Sequence, residues 1–191
     1  VTGFFSGQVA FGSTVLSTDG VAEGGGIAND LFVAKYVPGT GTWAWALNGG
    51  GTGTDGGNGI AVSGNSIYVT GVFYNSQLDA NVVRFGGTGG AGAVQVNGSN
   101  YNNSAASNDI ILLKFTDLGS SATLDWHQVA GGYGNDMGYG VAVSGSSVYL
   151  TGHIHNTNGN GSQVRFGGSG TTRGSSTQHG ASGNSQANNT D

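Results

Sequence analysis

The sequence predicts an all-β fold built from tandem four-stranded antiparallel units, and three observations predict it. The stretch Gly50 to Phe73, GGTGTDGGNGIAVSGNSIYVTGVF, returns 81 residues later at Gly131 to Ile154 as GGYGNDMGYGVAVSGSSVYLTGHI. More than half of the aligned positions are identical, and Val1-Thr2-Gly3-Phe4-Phe5 echoes Val69-Thr70-Gly71-Val72-Phe73. Self-similarity at a fixed spacing is the mark of a repeat architecture. The apolar residues are also gathered in short β-rich runs between Gly, Asn and Ser stretches, as strands between turns require. Finally, no segment carries the apolar period of an amphipathic helix.

Taken in order, Val1 to Phe5 is a strand by analogy with the later copies. Val9-Ala10-Phe11-Gly12 follows, matching Val83-Arg84-Phe85-Gly86 and Val164-Arg165-Phe166-Gly167. A polar loop leads to Asn29-Asp30 and then to Leu31-Phe32-Val33-Ala34-Lys35-Tyr36, whose counterpart is Ile110 to Phe115. These residues are apolar at consecutive positions, which suggests a strand covered on both faces. Pro38-Gly39 and Gly41 mark a turn. The next strand, Thr42 to Leu47, corresponds to Leu124 to Val129 and mixes apolar with polar residues, as an outer strand does. After the loop holding Asp55 come Ile60-Ala61-Val62, a tight turn at Ser63-Gly64-Asn65-Ser66, and the strand Ile67 to Phe73. Each unit thus reads as four strands, apolar in the first three and mixed in the fourth. That gradient is the one expected of propeller-type blades, in a segment of a β-propeller or of a stacked-blade array. The expected divisions are residues 1–57 (strands two to four of one blade), 58–138 (a complete blade) and 139–191 (strands one and two with a long loop). The unit exceeds the roughly 40–50 residues of familiar propeller blades. Its excess lies at 77–108, and again at 162–191, in stretches expected to be surface loops.

Composition bounds the function. The 191 residues include 40 glycines, one proline and no cysteine, and net charge is −5. Five cations, Lys35, Lys114, Arg84, Arg165 and Arg173, make neither a nucleic-acid footprint nor a polybasic membrane patch. There is no disulfide framework, no thiolate metal site, and no run near the roughly 20 apolar residues of a membrane span.

The recurring motifs resemble the bacterial SBBP-type beta-propeller repeat. The matching residues are Ile60-Ala61-Val62, Tyr68-Val69-Thr70-Gly71, Phe85-Gly86, Asp109 with Lys114, Trp126, Gly131-Gly132 and Asp136. The first unit supplies Asp30, Phe32, Val33, Lys35, Trp45, Gly50-Gly51 and Asp55, and the third Tyr149, Thr151, Gly152 and Phe166. The resemblance implies a secreted or cell-surface bacterial protein. It brings no catalytic residues. A closed propeller typically needs four to eight blades, whereas this pattern starts at a second strand and stops where a third would begin. Further units or other chains are therefore expected to complete it, and a filament of stacked blades is one outcome.

Candidate chemistry is sparse. His153 and His155, two apart on a strand, share a face on which a metal site could begin, but their counterparts are Val72 and Tyr74 and the sequence offers no third ligand nearby, so surface or interface residues are the expectation. Asp55 and Asp136 recur in Gly-rich loops, as do Asp30 and Asp109 before the third strand. Calcium would need several carboxylates together, and each loop has one Asp, so backbone-bonded turns are the expectation. Lys35 and Lys114 either pair with recurring Asp residues or reach solvent. Trp45 and Trp126 read as packing residues, and Trp43 as either a sugar-stacking or a loop-covered aromatic. No phosphate loop, nucleophile elbow or acid/base carboxylate pair is present. The sequons at Asn97, Asn102, Asn160 and Asn188 lie in the long loops. The sequence thus leads to a non-enzymatic extracellular structural or interaction repeat protein without cofactor, whose partners are further blades, itself or a surface glycan. The alternative is a carbohydrate-binding propeller domain of a larger secreted protein. A propeller-type hydrolase or lyase with its catalytic groups elsewhere is the weaker third.

Overall fold

The computed structural model describes residues 1–18, 28–51, 53–75, 83–85, 94–96, 107–131, 134–156, 163–166, 177–180 and 189–190. Every regular element among them is a strand. The first unit holds β1 (Thr2–Ser6), the hairpin β2 (Gln8–Phe11) and β3 (Thr14–Ser17), and the long pair β4 (Asn29–Val37) and β5 (Thr42–Gly50). The second holds β6 (Gly56–Ser63), β7 (Ser66–Asn75), the short β8 (Val83–Phe85) and β9 (Val94–Val96), then β10 (Ser107–Asp117) and β11 (Ala122–Gly131). The third holds β12 (Met137–Ser144), β13 (Ser147–His153), β14 (His155–Asn156), β15 (Gln163–Phe166), β16 (Thr177–Gly180) and β17 (Asn189–Thr190).

Within the second unit the four long strands lie side by side in chain order, β6-β7-β10-β11, all antiparallel. The first unit shows the same order from its second strand onward, β1-β4-β5. The third shows its start: β12 pairs with β13, and β14 pairs with β17 in the register that Tyr74–Asn75 and Ser107–Asn108 use one unit earlier. The tight turns form where glycine permits a left-handed backbone, at Gly64 and Gly145, each with φ of 58°. Among the described residues none of the sheets closes on itself.

The insertion between second and third strands differs from the expected surface loop. Its described part is a β-hairpin that leaves its own unit and extends the sheet of the preceding one. β8 pairs with β5 through Phe85↔Gly49 and Arg84↔Gly50, and β9 pairs with β8. β15 repeats this on β11 through Phe166↔Ala130 and Arg165↔Gly131, with β16 beyond it. The hydrogen-bonding edge of an outer strand would otherwise stand open, and the hairpin covers part of it.

The sheets stack face to face. One core cluster lies between the first and second, with Leu31, Val33 and Trp45 from one side and Ile67, Val69, Phe73, Ile111, Leu113 and Phe115 from the other. Phe85 joins it from the crossing hairpin and stacks edge-on against Phe73, ring centroids 6.4 Å apart. The opposite face of β10 meets β12, where Ile110 is buried. Cover on both sides explains the consecutive apolar residues of that strand. A second cluster, Phe5, Phe11, Leu16, Ala34 and Ala46, occupies the other face of the first sheet.

Candidate functional site

The residues that recur in sequence converge on the junctions between units. Asp30 opens β4, and Asp55 sits in the link from β5 to β6; both are fully buried. Asp55 Oδ2 accepts the Gly51 N–H at 2.8 Å, and its Oδ1 accepts the Tyr74 N–H at 2.9 Å, reaching from the linker to the end of β7. The backbone closes the same loop, as the Asp55 N–H donates to Asn29 O at 2.8 Å. Gly50 is where the two carboxylates meet. A Cβ there would stand 2.5 Å from Asp30 Cγ and 3.0 Å from Asp55 Oδ2. Burial pushes the Asp55 carboxyl up to about 7; the two N–H donors oppose this, and the Asp30 charge adds to it.

The arrangement is built again one unit on. Asp109 and Asp136 are fully buried, and a Cβ on Gly131 would stand 2.8 Å from both Asp109 Cγ and Asp136 Oδ2. The Asp136 N–H donates to Asn108 O at 2.7 Å, and Asp136 Oδ1 accepts the His155 N–H at 2.8 Å. Each carboxylate pair therefore ties the third strand of one unit, through the linker, to the second strand of the next.

The Tyr-x-Thr-Gly strand has a physical reason at each position. The Thr70 hydroxyl donates to Ile111 O at 3.0 Å, and Thr2 repeats the bond to Phe32 O at 2.7 Å. Gly71 lies where β6 approaches closely; a Cβ would fall 3.0 Å from Gly57 Cα. Tyr68 packs against Trp126 at 6.1 Å between centroids. In the third unit Tyr149, Thr151 and Gly152 hold the same positions but are exposed. Phe85 is fully buried, and Phe166 is 38% exposed. Ala130 stands opposite Phe166 where Gly49 stands opposite Phe85, and a Cβ on Gly49 would come within 2.7 Å of the Phe85 Cα.

The two recurring lysines take different partners. Lys35 crosses the first junction to Asp117 Oδ2 at 2.6 Å, and the indole N–H of Trp45 donates to Asp117 Oδ1 at 3.1 Å. Burial alone would raise Asp117, but the donors from Lys35, the Gly119 N–H and Trp45 outweigh it and hold the carboxyl below its ordinary range. Lys114 stays within its own sheet on Asp125 at 2.7 Å, with the Thr116 hydroxyl on the same oxygen. Repeat comparison could not find Asp117, because its counterpart in the first unit is Pro38.

His153 ends β13 and His155 opens β14; both are half-buried, with ring centroids 6.4 Å apart. Among the described residues no group of three or more His, Asp or Glu is placed to hold a metal ion, and no helix is long and apolar enough to cross a membrane. Trp43 is half-buried, packed edge-on against Phe11 at 4.9 Å and Tyr36 at 5.2 Å. The sequons at Asn97, Asn102, Asn160 and Asn188 fall outside the described residues.

These elements define an all-β repeat protein with reciprocal contacts between successive antiparallel sheets. No family model matches the chain, and neither a curated protein nor a solved structure matches it.

Proposed function

We propose that the chain is a non-enzymatic structural and interaction repeat protein of a bacterial surface, its four-stranded propeller-type blades stacking in an array that extends by self-association. One observation carries this reading: the junction between units is constructed twice from the same parts. At both positions an Asp pair closes over a glycine, and at both a hairpin leaves its own unit to extend the preceding sheet. A contact that recurs along one chain is a heterologous, head-to-tail contact, and such contacts propagate unless the rotation closes a ring. The recurring residues serve packing and hydrogen bonding within and between sheets. Buried Asp55 and Asp136 bond backbone N–H groups of the next unit rather than lining an accessible cleft.

Sedimentation velocity across a hundredfold concentration range, with electron microscopy of the same samples, tests the reading. Concentration-dependent growth into particles with a regular axial repeat is expected. A single small species at every concentration would refute self-association.

A further inference from the structure

We infer that Met137, His153 and His155 form a binding site for one soft transition-metal ion, copper(I) above all, held within the third unit. The inference goes beyond the structural role proposed above and uses side chains that role leaves idle.

The hairpin brings together what spacing along the chain conceals. Met137 opens β12 and His153 closes β13, and the two stand directly opposite each other in the antiparallel register. Residues paired in this way project from the same face with Cβ atoms about 5 Å apart. His155 follows two positions on, at the start of β14, and its ring lies beside that of His153, centroids 6.4 Å apart and planes inclined at 36°. Two contacts fix His155 in place. Its N–H donates to Asp136 Oδ1 at 2.8 Å, and its ring lies over Gly134, where a Cβ would stand 2.9 Å from Nδ1. All three groups come from one unit, so their meeting does not depend on any neighbour of that unit.

The separation suits a shared ion. A metal–imidazole bond of about 2.0 Å places two rings on one ion with centroids about 5–6.5 Å apart, from tetrahedral to linear bond angles. The observed separation falls inside that range. Side-chain rotation alone therefore brings a nitrogen of each ring onto the ion, and the Met137 thioether approaches from across the hairpin. The donor set decides the metal. Two imidazoles and a thioether are neutral and soft, which favours copper(I), and they offer no oxygen to calcium or magnesium.

Comparison of the repeat copies isolates the site. The same three positions, 81 residues earlier, hold Gly56, Val72 and Tyr74, and Gly56 stands opposite Val72 as Met137 stands opposite His153. The backbone frame is common to both units, and the third alone carries ligands on it. The chain's one methionine and two of its four histidines fall on these positions. Junction packing does not call for them, since Val72 fills its place as a buried apolar residue. Met137, His153 and His155 are all half-buried, which shields an ion from competing water yet leaves it a way in. Tyr74 is also half-buried although the third unit stacks on the second. A further unit on this face would thus leave the His155 position within reach.

The test titrates the full 191-residue chain with copper(I), without oxygen, in competition with the chelator bicinchoninate, and follows it by NMR. One ion per chain is expected, with the Met137 methyl and the ring protons of His153 and His155 shifting together. His153→Val and His155→Tyr install the residues that the second unit carries in the same frame, so the fold is kept. Each should weaken copper(I) binding about a hundredfold. Met137→Leu should weaken copper(I) about tenfold and leave zinc(II) affinity nearly unchanged, because the thioether is the soft ligand. Binding that survives both histidine substitutions, that leaves the Met137 methyl unmoved, that is indifferent to Met137→Leu, or that fails against the chelator would each overturn the inference.

Discussion

Replacing Asp55 with Asn should change how stability depends on pH, because this carboxyl is buried beside Asp30 and sits at about 7 in the folded protein against an ordinary 3.8. A carboxyl raised on folding holds a proton that the unfolded chain has released. Its stabilising contribution is therefore complete below about pH 4 and is lost as pH rises towards 7. The shift spans about three pH units at about 1.4 kcal/mol each, so wild type should lose about 4 kcal/mol relative to Asp55→Asn between pH 4 and 7. The variant also carries a constant penalty, since its amide group opposes the Gly51 N–H; a mismatched buried donor costs about 1–3 kcal/mol. His127 contributes the opposite sign: burial lowers its pKa, so its neutral form favours folding as pH rises. It is common to both proteins and cancels in the difference. Because Asp30 and Asp55 share one site, the titration belongs to the pair. Urea unfolding followed by tryptophan fluorescence at pH 4, 5, 6 and 7 measures it. Parallel curves, or wild type gaining on the variant as pH rises, would refute the account of a proton held at the junction.

Two further substitutions probe the junctions. Phe85→Ala should cost about 3–5 kcal/mol through the cavity left between the sheets. Phe166→Ala, at a position 38% exposed, should cost under about 1 kcal/mol; equal losses in denaturant titrations would mean that the hairpin from β8 does not lock the first sheet to the second. A double-mutant cycle of Lys35→Met and Asp117→Asn should return a coupling of about 0.5–1 kcal/mol that shrinks in 1 M salt, since both side chains are partly exposed. A coupling indistinguishable from zero at low salt would show that the pair does not brace the junction.

Much of the local architecture was legible before any coordinates. Short β-rich runs and the recurring Ser-Gly turn placed the hairpin at Gly64 and its repeat at Gly145, and the apolar run Ile110 to Leu113 announced a strand with both faces covered. These features depend on neighbours within a few residues, which the chain displays directly. The 81-residue spacing likewise announced that whatever holds one unit would recur in the next.

What the sequence by itself determined, then, is a repeating all-β chain with poor charge and abundant glycine. Only the tertiary structure decided how the units engage. Phe85 looks like part of a polar insertion, yet it is buried against the preceding sheet, because strand-edge bonds satisfied across units leave no periodic trace. Asp30 and Asp55 each read as a solitary turn residue, since nothing in their spacing says that both reach Gly50. Asp117 was invisible to repeat comparison because Pro38 holds its place in the first unit. Secondary structure is written in near neighbours, but a junction joins residues some 80 positions apart, and its geometry exists only once the sheets are stacked.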